Sequence, residues 1–267
     1  MAFSTGSFYG RDTNDTSKGY ALAASDASYK YYNNITWSFW AACIPGTNKD
    51  LFGMWEDTAS ANRSWLFSVQ TDGTFRIILS WDGTNFSLHK TSTAVFTDTW
   101  KHFMITFASG TFNCYVNNSL QTLVETLPWS GGAVPLHSAG QRLLVGSNNP
   151  ANPTADKTPA GAWNNYSLWN KVLSSAERAE LYNNGVPADL SQHSAYSSCT
   201  NWWRMDQSDT APTLADTKNG SGSNMTITTS GSSGRFAASG LYIADPADSS
   251  GGGACVRPFL GTKRMGA

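Results

Sequence analysis

The residues able to do chemistry are few and widely scattered. Four histidines, His89, His102, His137 and His193, stand far apart, and no HExxH or other local metal-ligand spacing joins them. Hydrolysis of a glycosidic bond needs two carboxylates held about 5–10 Å apart. The chain has four glutamates, Glu56, Glu125, Glu177 and Glu180. Glu177 and Glu180 fall in a helix-capping pattern, and Glu56-Asp57 are neighbours that point apart on an extended chain. No GxSxG nucleophile elbow, P-loop or GxGxxG pattern occurs. The residues best suited to a ligand are aromatic. Trp81-Asp82 leads into a turn at Gly83, and Trp129 sits in Leu-Pro-Trp-Ser-Gly-Gly. An indole face stacks on the apolar face of a sugar while a nearby carboxylate takes its hydroxyls, so Trp81, Asp82 and Trp129 are the carbohydrate-binding candidates. The alternative is that both tryptophans only cover the edge of a sheet. The loop from Asp209 to Asp216 offers oxygen atoms for calcium but no ordered ligand spacing, so no metal site and no cofactor are assigned.

Composition narrows the function classes. Lys+Arg is 18 and Asp+Glu is 19 in 267 residues, a net charge of −1. Nucleic-acid binders carry a basic excess, so nucleic acid is not an expected partner. No apolar run reaches the roughly 18 residues of a membrane span, so no membrane is expected either. Only 14% of residues are charged while 13% are aromatic, enough apolar area for a substantial core. Met-Ala-Phe-Ser-Thr-Gly at the start has neither a basic nor an apolar signal region, so folding in the cytoplasm is expected. Cys43, Cys114, Cys199 and Cys255 form no CxxC pair and read as buried thiols, the alternative being a disulfide made in an oxidising medium.

The elements that must position these residues are strands. Trp37, Phe39, Ala41 and Cys43 form one apolar face, as do Trp65, Phe67 and Val69, then Phe75, Ile77, Leu79 and Trp81, then Phe103, Ile105 and Phe107. Even positions carry the apolar phase at 86–88 and 112–116 and are expected to face the core there. Asp-Gly, Ser-Gly and Asn-Asn turns separate the runs, which predicts an all-β antiparallel sandwich. Ser174-Ser-Ala-Glu177 is a capping box that opens one helix of about ten residues, with Gly185 as the left-handed stop.

Residues 1–18 read as an N-terminal arm and 230–267 as a Gly/Ser-rich C-terminal arm, with the domain at 19–229. Residues 1–18 and 245–267 hold too few apolar side chains to offset an ordering entropy of about 1–2 kcal/mol per residue. They are therefore expected to order on other chains, through Phe3, Phe8, Tyr9, Val256, Arg257, Phe259 and Leu260, helped by Lys263 and Arg264, the alternative being that the tail folds back onto its own sandwich.

Four segments, in order, carry a family likeness. They are Thr36-Trp-Ser-Phe-Trp-Ala, Thr99-Trp-Lys-His102 with the hairpin Phe112 to Asn118, Arg142-Leu-Leu-Val-Gly146, and Ala160-Gly-Ala-Trp163 through Trp169 to Tyr182. The chain resembles laminin-G-like, concanavalin-A-like jelly-roll domains over roughly residues 19–229. Asn117-Asn118 stands where that family usually has Asp-Gly, and the Glu-x-Asp-x-x-Glu strand of jelly-roll glucanases is absent. Trp202-Trp203-Arg204-Met205, followed by Asp216, Asn219-Gly220 and Thr226, is similar to jelly-roll proteins of tailed bacteriophages. The resemblance implies a jelly roll with one short helix and extended terminal arms. It implies a non-enzymatic virion protein, a capsid decoration or fibre subunit, whose partners are other virion proteins and copies of itself, with a host glycan as a further ligand. A carbohydrate-binding or adhesion module is the alternative, and a glycoside hydrolase of the same fold is disfavoured by the carboxylate inventory.

Overall fold

The computed structural model describes residues 8–11, 18–23, 33–46, 48–56, 62–97, 99–138, 140, 142–148, 158–205, 209 and 212–230. They form β1 (Phe8–Arg11), β2 (Lys18–Ala23), β3 (Asn34–Ile44), β4 (Lys49–Met54), β5 (Trp65–Val69), β6 (Phe75–Ser80), β7 (Phe86–Thr91), β8 (Lys101–Ala108), β9 (Thr111–Val116), β10 (Ser119–Leu120), β11 (Leu123–Leu127), β12 (Leu144–Val145), β13 (Ala160–Trp169), helix α1 (Ser175–Tyr182), β14 (Cys199–Trp203), β15 (Thr213–Leu214) and β16 (Met225–Ser230). All the strand pairs are antiparallel.

One layer runs β10-β9-β8-β3-β13, and the other runs β4-β5-β6-β7-β11. Between them the ladder passes through β1, β2 and β12. Lys18 of β2 pairs with Arg11 of β1, while Ala21 and Leu22 pair with β12, so β2 carries the hydrogen bonding round the edge from one layer to the other. The layers face each other through aromatic rings. Trp37 meets Phe67 at 5.2 Å and Trp65 at 5.4 Å, and Phe39 meets Phe52 at 4.7 Å. Such pairs contribute beyond the roughly 1.5–3 kcal/mol of burying each large apolar side chain.

The odd positions of β3, β5, β6 and β8 line this core as their alternation predicts, and Cys114 and Val116 of β9 join them with Phe112 packed alongside. The phase of β7 is the reverse of the expectation. Ile77 pairs with His89 and Leu79 with Ser87, so the odd residues of β7 face inward, and Ser87, His89 and Thr91 are buried. Phe86 and Leu88 lie on the outer face instead, against Trp55, Leu66 and Ile78. This sheet carries apolar groups on both faces, and alternation alone cannot tell which face is the core.

Helix α1 and the turns after it cover the outer face of the other layer, where Met104, Trp169, Leu173, Leu181, Leu190 and Trp202 form a second apolar cluster. The capping box is complete: Glu177 N–H donates to Ser174 Oγ at 3.3 Å, and Ser174 N–H donates to Glu177 Oε2 at 2.7 Å. The left-handed stop comes earlier than Gly185, at Asn183 with φ 46°, because asparagine also tolerates that region. Asn117 and Asn118 take φ 49° and 60°, the geometry of a tight hairpin turn.

Phe8–Arg11, within the segment expected as an arm, pairs with β13 and so belongs to the sheet. Phe3, Val256, Arg257, Phe259, Leu260, Lys263, Arg264 and Cys255 lie outside the described residues. Cys43, Cys114 and Cys199 are free and buried, and burial pushes all three thiols well above their usual range.

Candidate functional site

Trp81 and Trp129 lie 48 residues apart in sequence but come together at one end of the sandwich. Trp81 is the first residue after β6, at the turn toward β7. Trp129 is the second residue after edge strand β11. Their ring centroids are 5.0 Å apart at 66°, an edge-to-face pair. Trp129 also meets Phe107 of β8 at 5.5 Å, which anchors the pair on the core, and both tryptophans remain half-buried. Two glycines let the backbone come this close. A Cβ on Gly131 would fall 2.5 Å from Trp81 Cγ, and one on Gly110 would fall 2.6 Å from Trp129 Nε1. Trp129 Nε1 donates to the carbonyl of Gly132 at 2.7 Å, so its polar handle is used within its own loop.

Asp82 is exposed beside this pair and organises the turn. Its Oδ1 accepts from the N–H groups of Thr84 at 2.8 Å and Asn85 at 2.6 Å, and its Oδ2 accepts from Asn85 Nδ2 at 2.7 Å. Partial burial raises its carboxyl, but these hydrogen bonds, together with nearby His137, win and hold it below the usual range. Asp82 is therefore an anion near neutral pH. A carboxylate offers about four acceptor positions, so Oδ2 keeps one for a hydroxyl. His137 is tied to the same end through its backbone N–H, which donates to the carbonyl of Ser80 at 2.8 Å. The arrangement is two indoles packed on each other with a carboxylate acceptor beside them.

The sequence singled out Trp81, Asp82 and Trp129, and the structure brings them to one rim. Phe8 and Tyr9 lie in β1, which is separated from β6 and β11 in the strand order by β2, β12, β4 and β5. Sequence reasoning missed the outer-face group. The Arg63 guanidinium lies 5.5 Å from the ring of Trp55 and 5.6 Å from that of Phe86, with its Nη1 donating to the carbonyl of Thr84 at 3.2 Å. The even phase of Phe86 and Leu88 was its signal, assigned to the wrong face.

Four further carboxylates among the described residues lie elsewhere. Glu177 bonds Lys171 Nζ at 2.7 Å besides closing the cap, and it is held down to about 2. Glu180 accepts from Ser194, and Glu125 lies 4.0 Å from His89 Nδ1. Asp216 is buried and accepts from the N–H groups of Trp202, Lys218 and Asn219 and from Asn201 Nδ2. Its oxygens are thus met by protein donors in the loop read as a calcium candidate. Among the described residues no group of three or more His, Cys, Asp or Glu side chains is placed to hold a metal ion. No helix of the described residues is long and apolar enough to cross a membrane.

Solved structures are similar at the level of the fold. A proposed carbohydrate-binding protein of Bacteroides ovatus matches with a TM-score of 0.57 at 13% identity, over 85% of this chain and 60% of its own. This chain thus spans under two thirds of that protein. The heptameric SAP-like pentraxin of Limulus polyphemus matches with a TM-score of 0.47 at 14% identity, over 66% of this chain and 80% of that one. A sialidase of Trypanosoma rangeli matches with a TM-score of 0.45 at 16% identity, over 67% of this chain and 27% of that one. No curated protein matches the sequence. Residues 15–177, well over half of the chain, match the laminin-G-type family described as the concanavalin A-like lectin/glucanases superfamily. With its antiparallel sandwich and lectin-like jelly roll, the chain belongs to that family.

Proposed function

We propose that the chain is a non-enzymatic carbohydrate-binding module whose ligand rests on the rim formed by Trp81, Trp129 and Asp82. The observation that carries this reading is the 5.0 Å pairing of two half-buried indoles from separate loops beside an ionised carboxylate. The Bacteroides protein of similar fold, itself named for carbohydrate binding, supports the same class. The non-enzymatic part is supported by the employment of Glu177 and Glu180 in a helix cap and a loop anchor. Glycan-array and calorimetric binding should be strong for the native protein and at least about tenfold weaker for Trp81→Ala, in line with the stacking and burial contribution of one aromatic ring. Unchanged binding by Trp81→Ala and Trp129→Ala would move the site elsewhere. Turnover of any member of a polysaccharide panel would overturn the non-enzymatic reading.

The finer reading is a phage virion protein, a capsid decoration or fibre subunit, folded in the host cytoplasm and assembled with copies of itself and other virion proteins. It rests on the likeness of the Trp202 to Thr226 segment to jelly-roll proteins of tailed bacteriophages. Mass spectrometry of purified particles tests it: stoichiometric recovery in the particle is expected, and recovery only in the soluble fraction would sink it.

A further inference from the structure

Two Asn-Gly dipeptides occur in the chain, Asn184-Gly185 and Asn219-Gly220. A glycine after asparagine leaves the following backbone nitrogen unhindered by any side chain, which makes such pairs open to spontaneous deamidation. Both asparagines are exposed, so exposure does not separate them. Their hydrogen bonding does. Gly220 N–H, the nitrogen that would attack, donates to the carbonyl of Asp216 at 3.0 Å. Asn219 N–H donates to Asp216 Oδ1 at 3.1 Å, and Asn219 Nδ2, the group that would leave, donates to Ser223 Oγ at 2.8 Å. Asn184 follows the end of α1 in a left-handed conformation, φ 55° and ψ 31°. Gly185 lies in the short 3-10 turn Asn183–Gly185, so the two attacking nitrogens are both in turns and the side-chain amide is what differs: no described residue hydrogen-bonds that of Asn184.

We propose that Asn184 is a spontaneous modification site, converted to aspartate and isoaspartate in the folded protein, while Asn219 is protected. The Gly185 nitrogen gives its proton to water or hydroxide and bonds to Asn184 Cγ. The Cγ–Nδ2 bond then breaks, Nδ2 takes a proton from water, and ammonia leaves, closing a succinimide. Water opens the ring at either carbonyl and yields the acid in its normal or iso form. No oxidant or further reactant is involved. The product places a negative charge at the C-terminal end of α1, whose last turn carries no basic residue, and that end of a helix disfavours negative charge. The iso form also lengthens the backbone one residue past Asn183 and two past Tyr182. The ring of Tyr182 lies 5.9 Å from that of His102, so the change would loosen the cover over the buried His102.

Peptide mapping of native protein held at mildly alkaline pH tests this, with urea-unfolded chain in parallel. In the native protein the peptide containing Asn184 should convert about ten times faster than that containing Asn219, the factor lost when one or two net hydrogen bonds must open first. In urea the two should convert at similar rates. Near-equal native rates, faster conversion at Asn219, or an Asn184 that stays intact while the unfolded chain converts would each overturn the proposal. An Asn184→Gln variant removes the reactive amide geometry and should abolish the fast component, and persistence of that component would place the reaction elsewhere.

Discussion

His102 Nε2 lies 2.7 Å from the hydroxyl of Ser38, under the tyrosine that ends α1. Both residues are buried on the outer face of the β3–β8 pair, and the imidazole meets Trp40 at 5.0 Å in a tilted contact. Its Nδ1 has no hydrogen-bond partner among the described residues. A serine and a histidine at this distance are two members of a nucleophilic triad, but burial holds the ring neutral, down to about 3. The pair ties β3 to β8 beneath the ring of Tyr182.

That burial makes stability depend on pH. The folded-state value lies below the unfolded one, so the unfolded chain binds the proton first. The contribution is fully present above about pH 6.5 and is lost as pH falls toward about 3. Between pH 7 and 4 the loss from this group should be about 3 kcal/mol. Denaturant midpoints measured across that range should fall steeply in the native protein. In His102→Gln they should start lower at pH 7 and vary less. A native protein with a flat profile would show that protonated His102 is tolerated in the fold.

The two faces of the β6–β7 hairpin should respond differently to truncation. Leu79 is fully buried in the inter-layer core, whereas Leu88 is half-buried on the outer face. Leu79→Ala, like Ile105→Ala in β8, should cost about 2–5 kcal/mol, and Leu88→Ala about 1 kcal/mol. Equal losses at Leu79 and Leu88 in urea titrations would restore the register in which the even residues of β7 face inward.

Ser174→Ala should cost about 1 kcal/mol, since it removes the acceptor for the Glu177 N–H at the start of α1. Thermal unfolding monitored by far-ultraviolet circular dichroism measures it. A Ser174→Asp variant, which keeps an acceptor and adds favourable charge at the helix start, should recover most of the loss.

Gly131→Ala should separate the tryptophan pair. The added methyl group would sit 2.5 Å from Trp81 Cγ, so one of the two must move. Overpacking of this kind costs about 1–3 kcal/mol. The near-ultraviolet signal from the paired indoles should shrink, and sugar binding at the rim should weaken with it. A Gly131→Ala protein with the native spectrum would show that the loop relaxes without disturbing Trp81.

Much of the sandwich was legible because one face of each central strand is both apolar and buried. β3, β5, β6 and β8 show this plainly. β7 misled because its inward residues are Ser87, His89 and Thr91, polar groups buried under a sheet whose outer face carries Phe86 and Leu88. β1, β2, β4, β11 and β16 were not read as strands, being recruited by pairing rather than marked by a clean pattern, and pairing is non-local. For the same reason Trp81, Asp82 and Trp129 could be named from their types, but their meeting could not. It depends on β11 forming the edge beside β7 and on Gly131 fitting against the Trp81 ring. The start of helix α1 was readable to the residue and its end to within about two, since its signals lie within its own dozen positions.

The way β2 serves both layers has a topological consequence. Arg11 of β1 and Ser230 of β16 both pair with Lys18, from opposite sides of that one strand. The first and last described strands therefore stand two strand spacings apart, about 9–10 Å. A linker of a few residues would span that gap, and new ends could be opened at the Asn117–Asn118 turn without cutting a core strand. A circular permutant of the described strands built this way should keep the fold and the Trp81–Trp129 rim, with its break at the β9–β10 hairpin.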